Sequence, residues 1–187
     1  LTSIEINGTY YSTFKPDSWR KWHDETPDSF VFSVKASRYC TNRKVLASAG
    51  EGIARFLCQG IAELGDKLGP INWQFMPTKK FDPDDFAAFL ALLPREADGR
   101  KLRHAVDVRH ESFACAQFVK LATEHKVAVV TAGDSKFPLI ADATADFIYA
   151  RIMGTREDEP LGYGEAALDV WAKRAVQWTK GEAAEGL

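Results

Sequence analysis

Paired cysteines, metal-ligand spacing and long apolar runs are all missing from this chain of 187 residues. Its three cysteines, Cys40, Cys58 and Cys115, show no CxxC spacing and are odd in number, so they read as free thiols in a reducing cytosol. The four histidines, His23, His104, His110 and His125, lack ligand spacing, so no metal is expected and no cofactor is signalled. No apolar run approaches the ~20 residues that span a bilayer, and no signal peptide precedes the first strand pattern. A cytoplasmic location is expected. The GxGxxG, P-loop, GxSxG and HExxH motifs are absent. A formal charge of −2 gives no electrostatic case for duplex nucleic acid, which usually demands a basic face. No repeat and no low-complexity linker divides the chain, so one domain is expected over residues 1–187.

What the chain does have is alternation. Six short apolar stretches carry polar or charged residues at alternate positions near their ends: Ile4 to Asn7, Phe30 to Lys35, Ile71 to Phe75, Ala105 to Arg109, Val127 to Thr131 and Phe147 to Arg151. Side chains i and i+2 of a strand share a face. One face therefore collects Ile4, Ile6, Phe30, Phe32, Val34, Ile71, Trp73, Phe75, Val106, Val108, Ile148 and Ile152. The other collects Glu5, Asn7, Ser33, Lys35, Asn72, Gln74, Asp107, Arg109, Tyr149 and Arg151. Such a mixture of charges requires water, mutual pairing or a ligand, because unpaired buried charge is very costly.

Helical patterns separate the strands. They open near Pro16-Asp17-Ser18, cover roughly 51–64, run from Pro83 to Leu93, approach His125, and span about 165–179. Between Lys136 and Thr144 the chain is irregular, and Gly65 to Pro70 is expected to turn into the third strand. Alternating strands and helices imply a parallel sheet. An open doubly wound sheet would be apolar on both faces. A closed (β/α) barrel accommodates polar groups near its carboxyl-end rim. The expected class is therefore α/β, a (β/α) TIM-type barrel with six of eight strands recognisable. Both ends of the sequence look abrupt, which suggests a fragment lacking the first βα unit and the last strand.

Several segments together resemble the YecE-like family. They are Ile4-Glu5-Ile6-Asn7 with Tyr10-Tyr11, Phe32 to Ala36 with Arg38-Tyr39, Leu64 to Pro70 with Gln74, Ala105 to Phe113, Asp134-Ser135, and Ala145 to Arg151 with Gly154. The resemblance implies a TIM-barrel-type fold with a pocket and assigns no activity. Asp107 stands where the family commonly has Glu, and Met153 where it often has His. The family's Gly- and Trp-containing first strand and its last strand with Tyr, Phe and Asn have no counterpart here, which agrees with truncation.

Asp107 and Arg109 carry the strongest site signal, two apart at the carboxyl end of one strand. They fit a structural ion pair, or an anion clamp in which Arg109 grips the ligand and Asp107 acts as a base. Lys35 suits proton transfer or Schiff-base chemistry, and equally a salt bridge to Glu5 or Asp107. Glu5 is a further acid–base candidate, or a partner of these cations. His110 is either a general acid or base at the mouth or a cap of the following helix. Asn7, Tyr39, Gln74, Asp134 and Arg151 are candidate ligand-binding groups, with Asn72 and Tyr149 as further hydrogen-bonding groups. Three functions compete: an acid–base enzyme for a small anionic compound, phosphorylated or not; a nucleic-acid-directed hydrolase; and a non-catalytic binding or scaffold protein. Cofactor and oligomeric state are unknown from sequence.

Overall fold

The computed structural model describes residues 1–184 and 186–187. Six parallel strands form one curled sheet in the order β1 (Ser3–Ile6), β2 (Val31–Lys35), β3 (Leu68–Gln74), β6 (His104–Asp107), β7 (Ala128–Gly133) and β8 (Tyr149–Ile152). A small antiparallel hairpin, β4 (Glu96–Ala97) with β5 (Arg100–Lys101), interrupts the alternation. Its two loop residues, Asp98 and Gly99, both have positive φ (47° and 72°), the conformation a two-residue hairpin favours. The main sheet is a half-barrel: β1 and β8 are its outer strands and do not pair with each other.

Helices α1 (Pro16–Asp24), α3 (Gly50–Leu57), α4 (Pro83–Ala91) and α5 (Ala116–Glu124) pack on one face of the sheet. That face holds the fully buried Val34, Ile71, Trp73, Phe75 and Val106, as strand parity predicts. Phe86, Phe89, Phe113 and Phe118 close over Phe75 and Phe81 in edge and tilted contacts of 5.1–6.4 Å between centroids. Helix α4 starts where Asp82 accepts from the backbone N–H groups of Asp84 and Asp85, with Pro83 as its first residue. Two further helices are α2 (Arg38–Thr41), a single turn within the basic stretch expected to be loop, and α6 (Glu165–Thr179), 15 residues over the expected span.

Several expectations need correction. Ile4 and Ile152 are 49% and 38% exposed, because they belong to the outer strands. The helix expected over 51–64 ends at Leu57, since Gly60 has φ of 102° and a Cβ there would lie 2.9 Å from Pro16 Cα. Leu68 to Pro70 belong to β3 rather than to the preceding turn. Gly69 allows this: a Cβ would come within 2.6 Å of Val31 Cγ1 and 2.8 Å of Phe32 O, where the β2–β3 register shifts. Finally, β6 ends at Asp107, so Arg109 and His110 lie beyond the strand.

Candidate functional site

The concave face of the half-barrel bears the polar residues. Register places Lys35 beside Asn72, Gln74 beside Asp107, and Ala132 beside Arg151. Ala105, Ala128 and Val130 form a small buried cluster on β6 and β7, and Phe147 and Tyr149 pack against it.

Asp107 is completely buried and sits at the centre. Arg109 returns to it with two bonds, Nε to Oδ1 at 3.2 Å and Nη2 to Oδ2 at 3.1 Å. Arg151 reaches from β8 and donates Nη1 to the same Oδ2 at 2.6 Å. Gln74 Oε1 accepts from both guanidiniums, at 2.7 Å from Arg109 and 3.4 Å from Arg151. The Arg109 guanidinium also lies 4.5 Å over the Phe137 ring, from the irregular segment after β7. Both oxygens of Asp107 are therefore occupied, and the residue is fitted to hold arginines.

Glu5 is the second acid. Its Oε2 accepts from Asn72 Nδ2 at 2.8 Å and from Tyr149 Oη at 2.5 Å, while Oε1 lies 3.6 Å from Arg151 Nη2. Burial alone would raise the Glu5 pKa. The bonds from Tyr149 and Asn72 and the charges of Arg151 and Lys35 outweigh it and hold the carboxyl below its ordinary value. For Tyr149, burial and the adjacent Glu5 charge push the phenol up, so it remains a donor. Ser33 Oγ lies 2.8 Å from this hydroxyl and 2.9 Å from Pro70 O, and its single proton serves one of the two.

Lys35 is 8% exposed. Its Nζ donates to Asn7 Oδ1 at 3.1 Å and stands 5.4 Å from the centre of the Tyr10 ring. Thr9 Oγ1, a residue the sequence reading passed over, donates to the Lys35 carbonyl at 2.5 Å and fixes the strand end. Burial lowers the Lys35 pKa. Arg151 and Arg109 push the same way, while Glu5 and Asp107 oppose them without cancelling the effect. Asn72 is wholly buried and its Oδ1 lacks a hydrogen-bond partner among the described residues. A flipped amide would set that oxygen against the Glu5 carboxylate, so the orientation is fixed electrostatically.

Glu5, Lys35, Gln74, Asp107 and Arg151 thus meet on one strand face, and Asn7 and Arg109 join them from just beyond the ends of β1 and β6. Three of the remaining sequence candidates lie outside the bonds of this network. His110 Nδ1 accepts from the Ser112 backbone N–H at 3.1 Å and lies 2.9 Å from Ser112 Oγ, capping the turn of Glu111–Phe113. Tyr39 is 65% exposed, beside Arg38. Asp134 accepts from Trp171 Nε1 at 2.6 Å and ties α6 to the end of β7. Beside the network, a cleft of about 740 Å³ lies between β1 and β8, lined by Glu5, Asn7, Ser33, Tyr149, Arg151 and Met153 among others. Among the described residues, no group of three or more His, Cys, Asp or Glu side chains is arranged to hold a metal ion. No described helix is long and apolar enough to cross a membrane.

The profile of the family described as "Protein of unknown function DUF72" matches residues 1–186. The UPF0759 protein YecE of Escherichia coli strain K12 is 24% identical over 203 residues, covering 94% of this chain and 71% of that protein. The crystal structure of a DUF72 family protein from Thermotoga maritima MSB8 superposes with a TM-score of 0.73 at 22% identity, covering 97% of this chain and 75% of that one. A DUF72 family protein from Enterococcus faecalis V583 gives a TM-score of 0.74 at 19% identity, covering 98% and 80%.

Proposed function

The chain belongs to the DUF72 family, and we propose that its carboxyl-end network binds a small anionic compound and exchanges a proton with it through Lys35. The observation that carries this reading is the unequal use of donors and acceptors. The carboxylates of Asp107 and Glu5 are occupied by the arginines, Asn72 and Tyr149, whereas the Lys35 ammonium makes one hydrogen bond. Three cations, Lys35, Arg109 and Arg151, share the network with two acids, so an incoming anion balances its charge.

On this reading Arg109 and Arg151 hold the anion, and Asp107, Glu5 and Gln74 hold the arginines. The Lys35 ammonium, its pKa lowered, gives a proton to the bound compound and recovers one from another of that compound's atoms, chemistry suited to a lyase or isomerase. His110, Tyr39 and Asp134 have no part in the proposal. The curled sheet is taken as six strands of a (β/α) TIM-type barrel, whose chemistry belongs at the carboxyl ends. The free thiols Cys40, Cys58 and Cys115 suit the cytoplasm.

Native mass spectrometry against a panel of phosphorylated and carboxylated metabolites tests it. A compound retained by the wild-type chain, lost by Arg109→Gln and bound without turnover by Lys35→Met supports the assignment. A panel without a binder, or binding indifferent to both substitutions, sinks it.

A further inference from the structure

A second cleft, of about 740 Å³, lies at the amino ends of the strands, where the loops enter β6, β7 and β8, and adjoins the β1–β8 cleft at Arg103 and Phe147. Arg95, Lys101, Arg103 and Lys126 line it, against the single carboxylate of Asp146. None of these four cations forms an ion pair among the described residues. The contrast with the mouth is direct, since Arg109 and Arg151 are both tied to Asp107 there.

The walls of this cleft are built. Thr144 Oγ1 donates to Val127 O at 2.7 Å and accepts from Val129 N at 3.0 Å, pinning the loop that leads to β8. Leu102 N donates to Arg95 O at 2.8 Å and closes the base of the β4–β5 hairpin. His104 forms part of the floor. Its Nδ1 accepts from Trp73 Nε1 at 3.1 Å, so the remaining proton lies on Nε2 and goes to Pro94 O at 2.7 Å. Both nitrogens of a neutral ring are used, and His104 is not a ligand group. Leu93, Leu102 and Val127 add buried apolar surface, and the Phe147 ring lies 5.4 Å from the Arg103 guanidinium.

We propose that this amino-terminal pole is a second binding site, for a small phosphate-bearing molecule with an apolar body. Cations gathered around one cleft repel each other, and a multiply charged head relieves that repulsion more than a monoanion does. The planar forks of Arg95 and Arg103 match phosphate oxygens two at a time. Lys126 follows the end of α5, where the helix dipole already favours positive charge. Arg95, Lys101 and Arg103 come from the hairpin and the start of β6, where no such dipole accounts for them. The inference does not depend on the reading of the mouth.

Isothermal titration with inorganic pyrophosphate and with adenosine diphosphate tests it on three proteins: wild type, Arg95→Gln/Lys101→Gln/Arg103→Gln, and Arg109→Gln. The three pole residues are exposed, so the triple variant retains its fold, checked by thermal melting. Saturable binding to wild type, tighter for the diphosphate nucleoside, weakened about tenfold or more in the triple variant and unchanged in Arg109→Gln, is the expected result. Binding undiminished in the triple variant overturns the proposal, as does a wild type that binds neither probe at millimolar concentration. A nucleoside diphosphate no tighter than pyrophosphate overturns the assignment of an apolar body. Tighter binding of a short single-stranded oligonucleotide than of either probe replaces the small molecule with nucleic acid. Loss in Arg109→Gln alone places the anion at the mouth, which removes this inference and leaves the proposed function standing.

Discussion

The Tyr149 hydroxyl donates to Glu5 Oε2 at 2.5 Å, joining residues 144 positions apart on the two outer strands. β1 and β8 share no backbone pairing, so this bond and the Arg151–Glu5 pair tie the two edges through the concave face. The polar network therefore has a mechanical role as well as a chemical one. It fixes the curl of a half-barrel from within.

Tyr149→Phe should loosen that tie. The substitution removes one donor from a charged, half-buried acceptor, and loss of such a bond costs about 1–3 kcal/mol. The Glu5 carboxyl, which the tyrosine helps to hold down, should titrate at higher pH. Stability gained by a lowered carboxyl is present above its unfolded value and fades as pH falls through the folded value. Urea unfolding from pH 7 to pH 3 should thus show wild type and variant converging as the medium acidifies. A constant or zero difference would show that the bond contributes nothing to the fold.

Asp107 should be less replaceable than either arginine. Each arginine can be removed while the other still neutralises the buried carboxylate, so Arg109→Ala and Arg151→Ala should each be partly compensated. Removing both strands the charge, and breaking a buried pair costs about 3–5 kcal/mol. The double substitution should exceed the sum of the singles, as coupled neighbours do. Chemical denaturation of the four proteins of this cycle decides, and strict additivity would dissolve the network as a unit.

Lys35→Met should separate stability from function. Burial lowers the Lys35 pKa in the folded state, so its charge is a net burden on the fold. The sign follows from proton counts. Between the lowered folded value and the ordinary 10.5, the unfolded chain binds more protons, so stability rises with pH through that window. At neutral pH the methionine variant should be at least as stable as wild type, and it should lack the alkaline rise. It should also lose proton exchange with the bound anion. A variant that melts markedly earlier at pH 7 would recast Lys35 as a structural cation.

Parity made the network legible before any coordinates, because a strand offers only two faces and burial of Trp73, Phe75 and Val106 fixes which one is outward. Depth and loop geometry were not legible in the same way. His110 sits past the strand end, where the alternation lapses, and its ring turns back to Ser112. Phe137 meets Arg109 from a segment without period, and Asp134 meets Trp171 across 37 positions. The basic pole was invisible for a related reason. Arg95 and Arg103 flank the hairpin between α4 and β6 while Lys126 follows α5, and no local motif joins them. The hairpin, by contrast, was announced by Asp98-Gly99, a strong two-residue turn signal that the alternation of longer strands overshadowed.

Gly133→Ala should undock α6. A Cβ at Gly133 would overlap the Trp171 ring, the buried contact of that helix, whose indole also donates to Asp134. Forcing bulk into a filled space costs about 1–3 kcal/mol. The expected readouts are a red-shifted tryptophan emission and earlier proteolysis within 165–179, with the remaining strands intact. An unchanged emission spectrum would mean that the ring moves aside at little cost.

The last prediction concerns the outer strands. Each presents an edge without a strand partner, and each carries an exposed isoleucine, Ile4 on β1 and Ile152 on β8. Unpaired N–H and C=O groups next to exposed apolar side chains invite pairing with another chain, and natural edges are often protected by lysine. The 187-residue chain should therefore associate as concentration rises, through β1 or β8 rather than through its helices. Ile4→Lys and Ile152→Lys place a charge at each edge; both positions line the β1–β8 cleft but make none of the network's hydrogen bonds, so they should shift the equilibrium toward monomer and leave the melting temperature of the monomer nearly unchanged. Sedimentation velocity over a range of concentrations measures this. A wild-type chain that stays monomeric throughout, or association untouched by either lysine, would show that the edges are protected by their own twist and loops.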